Sequence, residues 1–179
     1  MKRIRLVKYR VFEWRDAPEK VTTSLRGVEL SPITPGNSEC VQDFRGPAVA
    51  RRFANMADSG QIGLYARING RVVGHGWVTA PSDRRRRVNG YFDLEPHEAL
   101  IHFCAVDPEY RGHRIFGLLL HELARVARSK DLNAKVLVDT ESENSASIKG
   151  IEAAGFNPSF DLVVWRVGRW APYRGRRVQ

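Results

Sequence analysis

Val106-Asp107-Pro108-Glu109-Tyr110-Arg111-Gly112-His113-Arg114 joins a run of strand-forming residues to an amphipathic helix. On its N-terminal side, residues 98–106 (EALIHFCAV) are apolar enough for a buried strand, and Asp107-Pro108 stops it. On its C-terminal side, residues 113–129 repeat apolar side chains at helical spacing, with Ile115, Leu119, Leu123 and Val126 on one face. A helix N-terminus leaves backbone N–H groups unpaired and carries a partial positive charge. Gly112 lets an anion approach the backbone there, and Arg111 and Arg114 add mobile positive charge. The segment predicts a phosphate-binding turn.

Downstream, residues 134–138 (AKVLV) form a short buried strand and residues 144–154 a helix that ends at Gly155. Residues 156–170 alternate and predict one or two closing strands. Upstream, residues 61–80 form a hairpin, because Asn69-Gly70 accepts the positive φ angles of a type I′ turn. Residues 3–14 predict a first strand, and residues 15–37 a loop with a turn of helix. Residues 38–57 predict helix split at Gly46-Pro47. A polar linker at 81–97 holds the run Arg84–Arg87. The order is strand, helices, hairpin, strand, helix, strand, helix, strand. It predicts a layered α/β (α+β) fold in a single domain, 1–179, with a mostly antiparallel mixed sheet. The crossover after residue 106 demands a parallel pair.

The chain has 179 residues with 29 basic and 20 acidic side chains, a net charge of +9. That length buries a sizeable core without staples. No apolar run reaches the ~20 residues needed to span a bilayer, so no membrane role is expected. The basic N-terminus interrupts its apolar residues with charge, unlike a secretory leader. Two cysteines, Cys40 and Cys104, make no disulfide framework, and a cytoplasmic protein with reduced thiols is expected. The basic excess favours an anionic partner. Arg84–Arg87 and the five arginines of the tail 166–179 point to nucleic acid, but no aromatic ladder accompanies them, which disfavours that partner. The five histidines have no ligand-like spacing, so no metal is expected.

The stretch from Val106 to Gly112, followed by a leucine-rich helix, resembles the coenzyme-binding segment of the GNAT acetyltransferase superfamily. That family writes Val-x-Pro-x-Tyr-Arg-Gly-x-Gly-Ile-Gly. About thirty residues on it expects Asn-x-x-Ala/Ser and a helix ending in Gly-Phe, where this chain has Asn144, Ser147, Gly155 and Phe156. The resemblance covers about residues 61 to 170. It implies a GNAT-type sheet with helices on both faces and a splayed parallel strand pair. It also implies transfer of acetyl from acetyl-CoA to an amine of a small molecule or peptide. The loop Arg111, Gly112, His113, Arg114, Ile115 and Phe116 would hold the pyrophosphate. The backbone of Cys104, Ala105 and Val106 would pair with the pantetheine arm. Asn144 would sit on the strand 134–138 near the arm or the acceptor. Dimerisation is common in the family, so a homodimer is compatible with the resemblance.

Departures from the pattern bear on catalysis. Arg114 and Phe116 replace small residues; a helical φ/ψ would suit Arg114, and Gly117 would relieve crowding by Phe116. Ile151 stands where the family often has the tyrosine acid, and Leu100 where it often has a carboxylate base. Strand period two puts Glu98, Leu100 and His102 on one face, which makes His102 and Glu98 the candidate catalytic bases. His102 also reads as a core histidine. His75, between Gly74 and Gly76, is a further candidate base, with a surface position on a bent strand as its plain alternative. Tyr91 and Tyr110 are unselected acids. The rival function is a regulatory CoA-binding module of the same fold that has lost catalysis.

Overall fold

Asn69 and Gly70 both take positive φ, 50° and 81°, and close the hairpin expected of them. In the computed structural model the described residues are 4–15, 21–79, 87–88, 92–167, 170–172 and 176–178. Arg84, Arg85, Arg86, Tyr91 and the tail residues Arg169 and Arg174 lie outside them.

The strands are β1 (Ile4–Trp14), β2 (Val28–Pro32), β3 (Ile62–Ile68), β4 (Arg71–Thr79), β5 (Arg87–Val88), β6 (Phe92–Asp93), β7 (Glu98–Val106), β8 (Lys135–Glu141), β9 (Phe156–Val167), β10 (Trp170–Pro172) and β11 (Arg176–Val178). The helices are α1 (Pro47–Asp58), α2 (Ile115–Lys130) and α3 (Ser145–Ala153), with 3-10 helices at Pro35–Asp43 and Pro108–Tyr110. Nine strands form one sheet in the order β10-β9-β1-β8-β7-β4-β3-β2, with β11 also on β9. Among the described strands, β7 and β8 are the parallel pair that the crossover through α2 demands.

Sequence reading missed β2. It lies inside the expected loop of residues 15–37 and takes its strand form from pairing with β3, Val28 to Ile68 through Pro32 to Leu64. The first helical piece is a 3-10 helix rather than an α-helix, and Pro47 opens α1 as expected.

Helices cover both faces. On one face Leu120, Leu123 and Ala124 of α2 pack with Ile101, Val136 and Val138. On the other, Phe53 and Met56 of α1 pack with Tyr65 and Trp77. Val126 is only half-buried; Leu120, Ala124 and Ala127 complete the buried stripe of α2 instead.

Candidate coenzyme site at the parting of two strands

β7 and β8 pair from Glu98–Lys135 to Ile101–Val138 and then part. Phe103 lies two residues past the last of those pairs. It takes a φ of 50°, a strained value for an aromatic residue, and inserts an extra residue into β7 opposite β4. Beyond it, Ala105 and Val106 pair with β4, and Cys104, Ala105 and Val106 have no partner on β8, which leaves backbone groups open for an extended ligand.

A cleft of about 790 Å³ opens there. Every residue expected at a coenzyme except His113 lines it: Cys104, Ala105, Val106, Arg111, Gly112, Arg114, Ile115, Phe116 and Asn144. His113 instead faces the segment before β2, with Nδ1 2.9 Å from Ser24 Oγ and its carbonyl accepting the Ser24 N–H. Tyr110, Gly117 and Ser147, which the sequence named without a coenzyme contact, also line it, and sequence reading missed Val21, Thr22, Ala146, Lys149, Gly150 and Ala153. Their place in the wall depends on how α3 and the segment before β2 fold over α2, and no local motif marks that.

The cleft's charge has one sign. Arg111, Arg114 and Lys149 line it, and none of the described lining residues is acidic. The first turn of α2 also has no acid of its own to offset its positive dipole end. Gly112 takes φ 82°, which explains the glycine: a side chain there would have room but an unfavourable backbone. Asp107 anchors the loop. Its buried carboxylate accepts the Glu109 N–H at 3.2 Å and pairs with Arg71 at 3.1 Å. Such a wall suits an anionic, phosphate-bearing ligand with an extended arm.

Several expectations need correction. Arg114 does not take a helical φ/ψ; it caps α2 at φ 62°, ψ 14°, the left-handed region where the family's glycine is at ease. Arg111 folds back, and its Nε donates to the Val106 carbonyl at 3.3 Å. Asn144 is not on a strand. It caps α3, and its side-chain oxygen accepts the Ser147 N–H at 3.1 Å. Crowding by Phe116 is relieved by Gly150 across the helix pair rather than by Gly117.

The candidate bases lie apart from this wall. His102 is buried on β7, its Nε2 3.0 Å from Thr79 Oγ1 and its Nδ1 without a partner among the described residues. Burial, helped by the Arg52 charge, lowers its pKa to about 4. Glu98 sits at the paired end of β7, accepting the Glu95 N–H at 2.9 Å and facing Lys135 at 3.9 Å. The six steps from Glu98 to Cys104 span about 20 Å of strand. His75 is neither a surface residue nor open to a substrate. It is fully buried among Phe44, Phe53 and Phe103, and burial lowers its pKa to about 3. Its flanking glycines make room for other groups: a Cβ at Gly76 would stand 2.8 Å from Cys104 Sγ. Burial pushes the Cys104 thiol up to about 12, so it stays protonated.

Sequence reading also passed over Asp139, one residue past the last β7–β8 pair. Leu137 faces away from α2, and strand alternation puts Asp139 on the same side. Ile151 is fully buried and packs in the core, so the side chain at that position of α3 does not face the cleft.

The profile of the Acetyltransferase (GNAT) family matches residues 30–156. No curated protein matches the sequence. Among solved structures, a GNAT-family acetyltransferase from Colwellia psychrerythraea superposes with a TM-score of 0.65 at 16% identity, over 93% of this chain and 57% of its own. A putative GNAT-family acetyltransferase from Novosphingobium aromaticivorans gives 0.65 at 14% identity, over 95% of this chain and 68% of its own. The aminoglycoside N-acetyltransferase AAC(6′)-Iy in complex with CoA gives 0.56 at 22% identity, over 83% of this chain and 99% of its own. These likenesses establish the fold.

Proposed function

This chain belongs to the GNAT acetyltransferase family, and from that premise we propose that it transfers acetyl from acetyl-CoA to an amine by direct attack. The observation that carries the proposal is the cleft at the parting of β7 and β8, with its cationic lining and its open strand edge. The N-terminus of α2, Arg114 and Lys149 would hold the pyrophosphate. Cys104, Ala105 and Val106 would hold the pantetheine arm by backbone hydrogen bonds. Acetyl-CoA supplies the activated thioester: the amine nitrogen forms a C–N bond at its carbonyl, the C–S bond breaks, and CoA leaves as thiolate.

The amine's proton must go elsewhere, since a lysine-like ammonium has a pKa of about 10.4. His102 is the group proposed to take it, being unprotonated at neutral pH. Glu98 is too far along the strand to share the task. No dedicated acid is needed for a thiolate, because thiols have pKa values of about 8.5.

A second reading, a CoA-binding module without turnover, rests on Ile151 and on the weak basicity of His102. Two measurements separate the readings. Acetyl-CoA at a hundredfold excess over its Kd adds about 2.7 kcal/mol, which raises Tm by roughly 5–10 °C. That shift is expected under both, and its absence refutes both. Release of CoA on addition of an amine supports transfer alone, with His102→Ala lowering turnover roughly 10²–10⁴-fold.

A further inference from the structure

Phe103 is the strained residue at the point where β7 leaves β8, and two arginines from another part of the chain converge on it. The Arg52 guanidinium, from α1, lies 4.2 Å from the centre of the Phe103 ring. The Arg45 guanidinium, just before α1, lies 6.0 Å from it. Arg52 is exposed, and among the described residues neither arginine has a carboxylate within 4 Å. Asp43, the acid nearest to Arg45 in sequence, is already engaged: its carboxylate accepts the Val72 N–H. Phe103 packs with Phe53 and Trp77 on the α1 face, whereas α2 and its N-terminal turn lie on the other. These arginines are therefore a second cationic site, separated by the sheet from the charges that line the cleft.

Phe103 immediately precedes Cys104, the first residue of the cleft's open strand edge. A molecule held by Arg45 and Arg52 would thus approach the reactive end of the pantetheine arm from the α1 face. A face offering two unpaired guanidiniums repels a polycation and favours an anion. We infer that the acetyl acceptor is a small amine that also bears an anionic group, a carboxylate or a phosphate, held by Arg45 and Arg52 beside Phe103. The aromatic ring fixes the Arg52 guanidinium from one side and leaves its N–H groups for the anion. The inference rests on the coenzyme reading of the cleft and adds the acceptor's chemical class.

The test uses the full chain with acetyl-CoA and pairs of amines that differ only in the anion. β-Alanine against β-alaninamide, with amino acids and dipeptides against their amides, probes a carboxylate. Phosphoethanolamine against ethanolamine probes a phosphate. An aminoglycoside serves as the polycation. CoA release is expected to be at least tenfold faster in kcat/KM for the anionic member of one pair, and that pair identifies the anion. Arg52→Gln and Arg45→Gln should each raise the acceptor's KM about tenfold and leave the Tm shift by acetyl-CoA unchanged; Arg52→Lys should restore part of the loss. Equal or faster turnover of the uncharged or polycationic amines overturns the inference. So does an unchanged KM in both glutamine variants, or an acetyl-CoA Tm shift with no anion-dependent turnover in any pair; in each of these cases the coenzyme reading stands. Absence of the acetyl-CoA shift itself overturns both.

Discussion

Phe116 and Gly150 are complementary across the α2–α3 contact: a Cβ placed on Gly150 would stand 2.7 Å from Phe116 Cδ1. The family pattern has a small residue at 116, and here the missing volume has moved to the facing helix. Gly150→Ala is expected to be destabilising despite the better helix propensity of alanine. Overpacking costs about 1–3 kcal/mol against a gain of about 1. With Phe116→Ala in place, the same change should stabilise by up to about 1 kcal/mol. A double-mutant cycle by chemical denaturation reads this change of sign. Additive effects would show that the two residues are not coupled.

Arg114→Gly should separate stability from binding. Glycine relieves the left-handed backbone at φ 62°, and Tm should rise by the few degrees that about 1 kcal/mol gives in a chain of this length. The lost guanidinium should weaken CoA several-fold, in line with one solvent-accessible charge-assisted hydrogen bond. Calorimetry on the variant gives the affinity. Tighter CoA binding would mean that the side chain obstructs the turn.

Asp107 holds the turn through two bonds, to the Glu109 N–H and to Arg71. Asp107→Ala leaves that N–H unpaired and strands Arg71 beside Glu109. A loss of about 1–3 kcal/mol is expected, with weaker CoA binding. Asp107→Asn keeps the cap and should lose less. Equal losses in both variants would assign the effect to the charge rather than the cap.

Acid should destabilise the fold through His75 and His102. Their folded pKa values, about 3 and about 4, lie below the unfolded value of 6.5. The unfolded chain therefore binds more protons in between, and stability rises with pH. The contribution is complete above pH 6.5 and is lost as pH falls from there towards the folded values. Denaturation midpoints measured from pH 7 to pH 4 should fall, and His75→Phe should flatten part of the slope. That variant also removes two buried nitrogens with no partner among the described residues, so its Tm at pH 7 should not fall by more than a few degrees.

Turnover should show no histidine-like inflection near pH 6.5, since His102 is already unprotonated there. The rate should instead climb with the deprotonated fraction of the acceptor amine, up to pH 9 or so for an amine of pKa near 10. A sigmoid centred near pH 6.5, absent in His102→Ala, would show that His102 titrates at its ordinary value.

The order of elements was legible because it is written in local signals. Asn69-Gly70 permits one kind of turn, Pro47 opens one helix, Asp107-Pro108 ends one strand, and the apolar spacing of residues 115–127 builds one helix face. The loop that leads into α2 was legible for the same reason, since Gly112 and the helix after it are contiguous. Tertiary structure alone decided the rest. β2 exists because β3 offers it an edge, not because Val28–Pro32 has a strong pattern of its own. The two histidines chosen for their chemistry are held neutral by burial, which depends on side chains far away in sequence: Phe44 and Phe53 around His75, Thr79 and Arg52 near His102. Sequence spacing sets which groups share a strand face; how far water is excluded from that face, and hence what those groups can do, is set only when the other layers close over it.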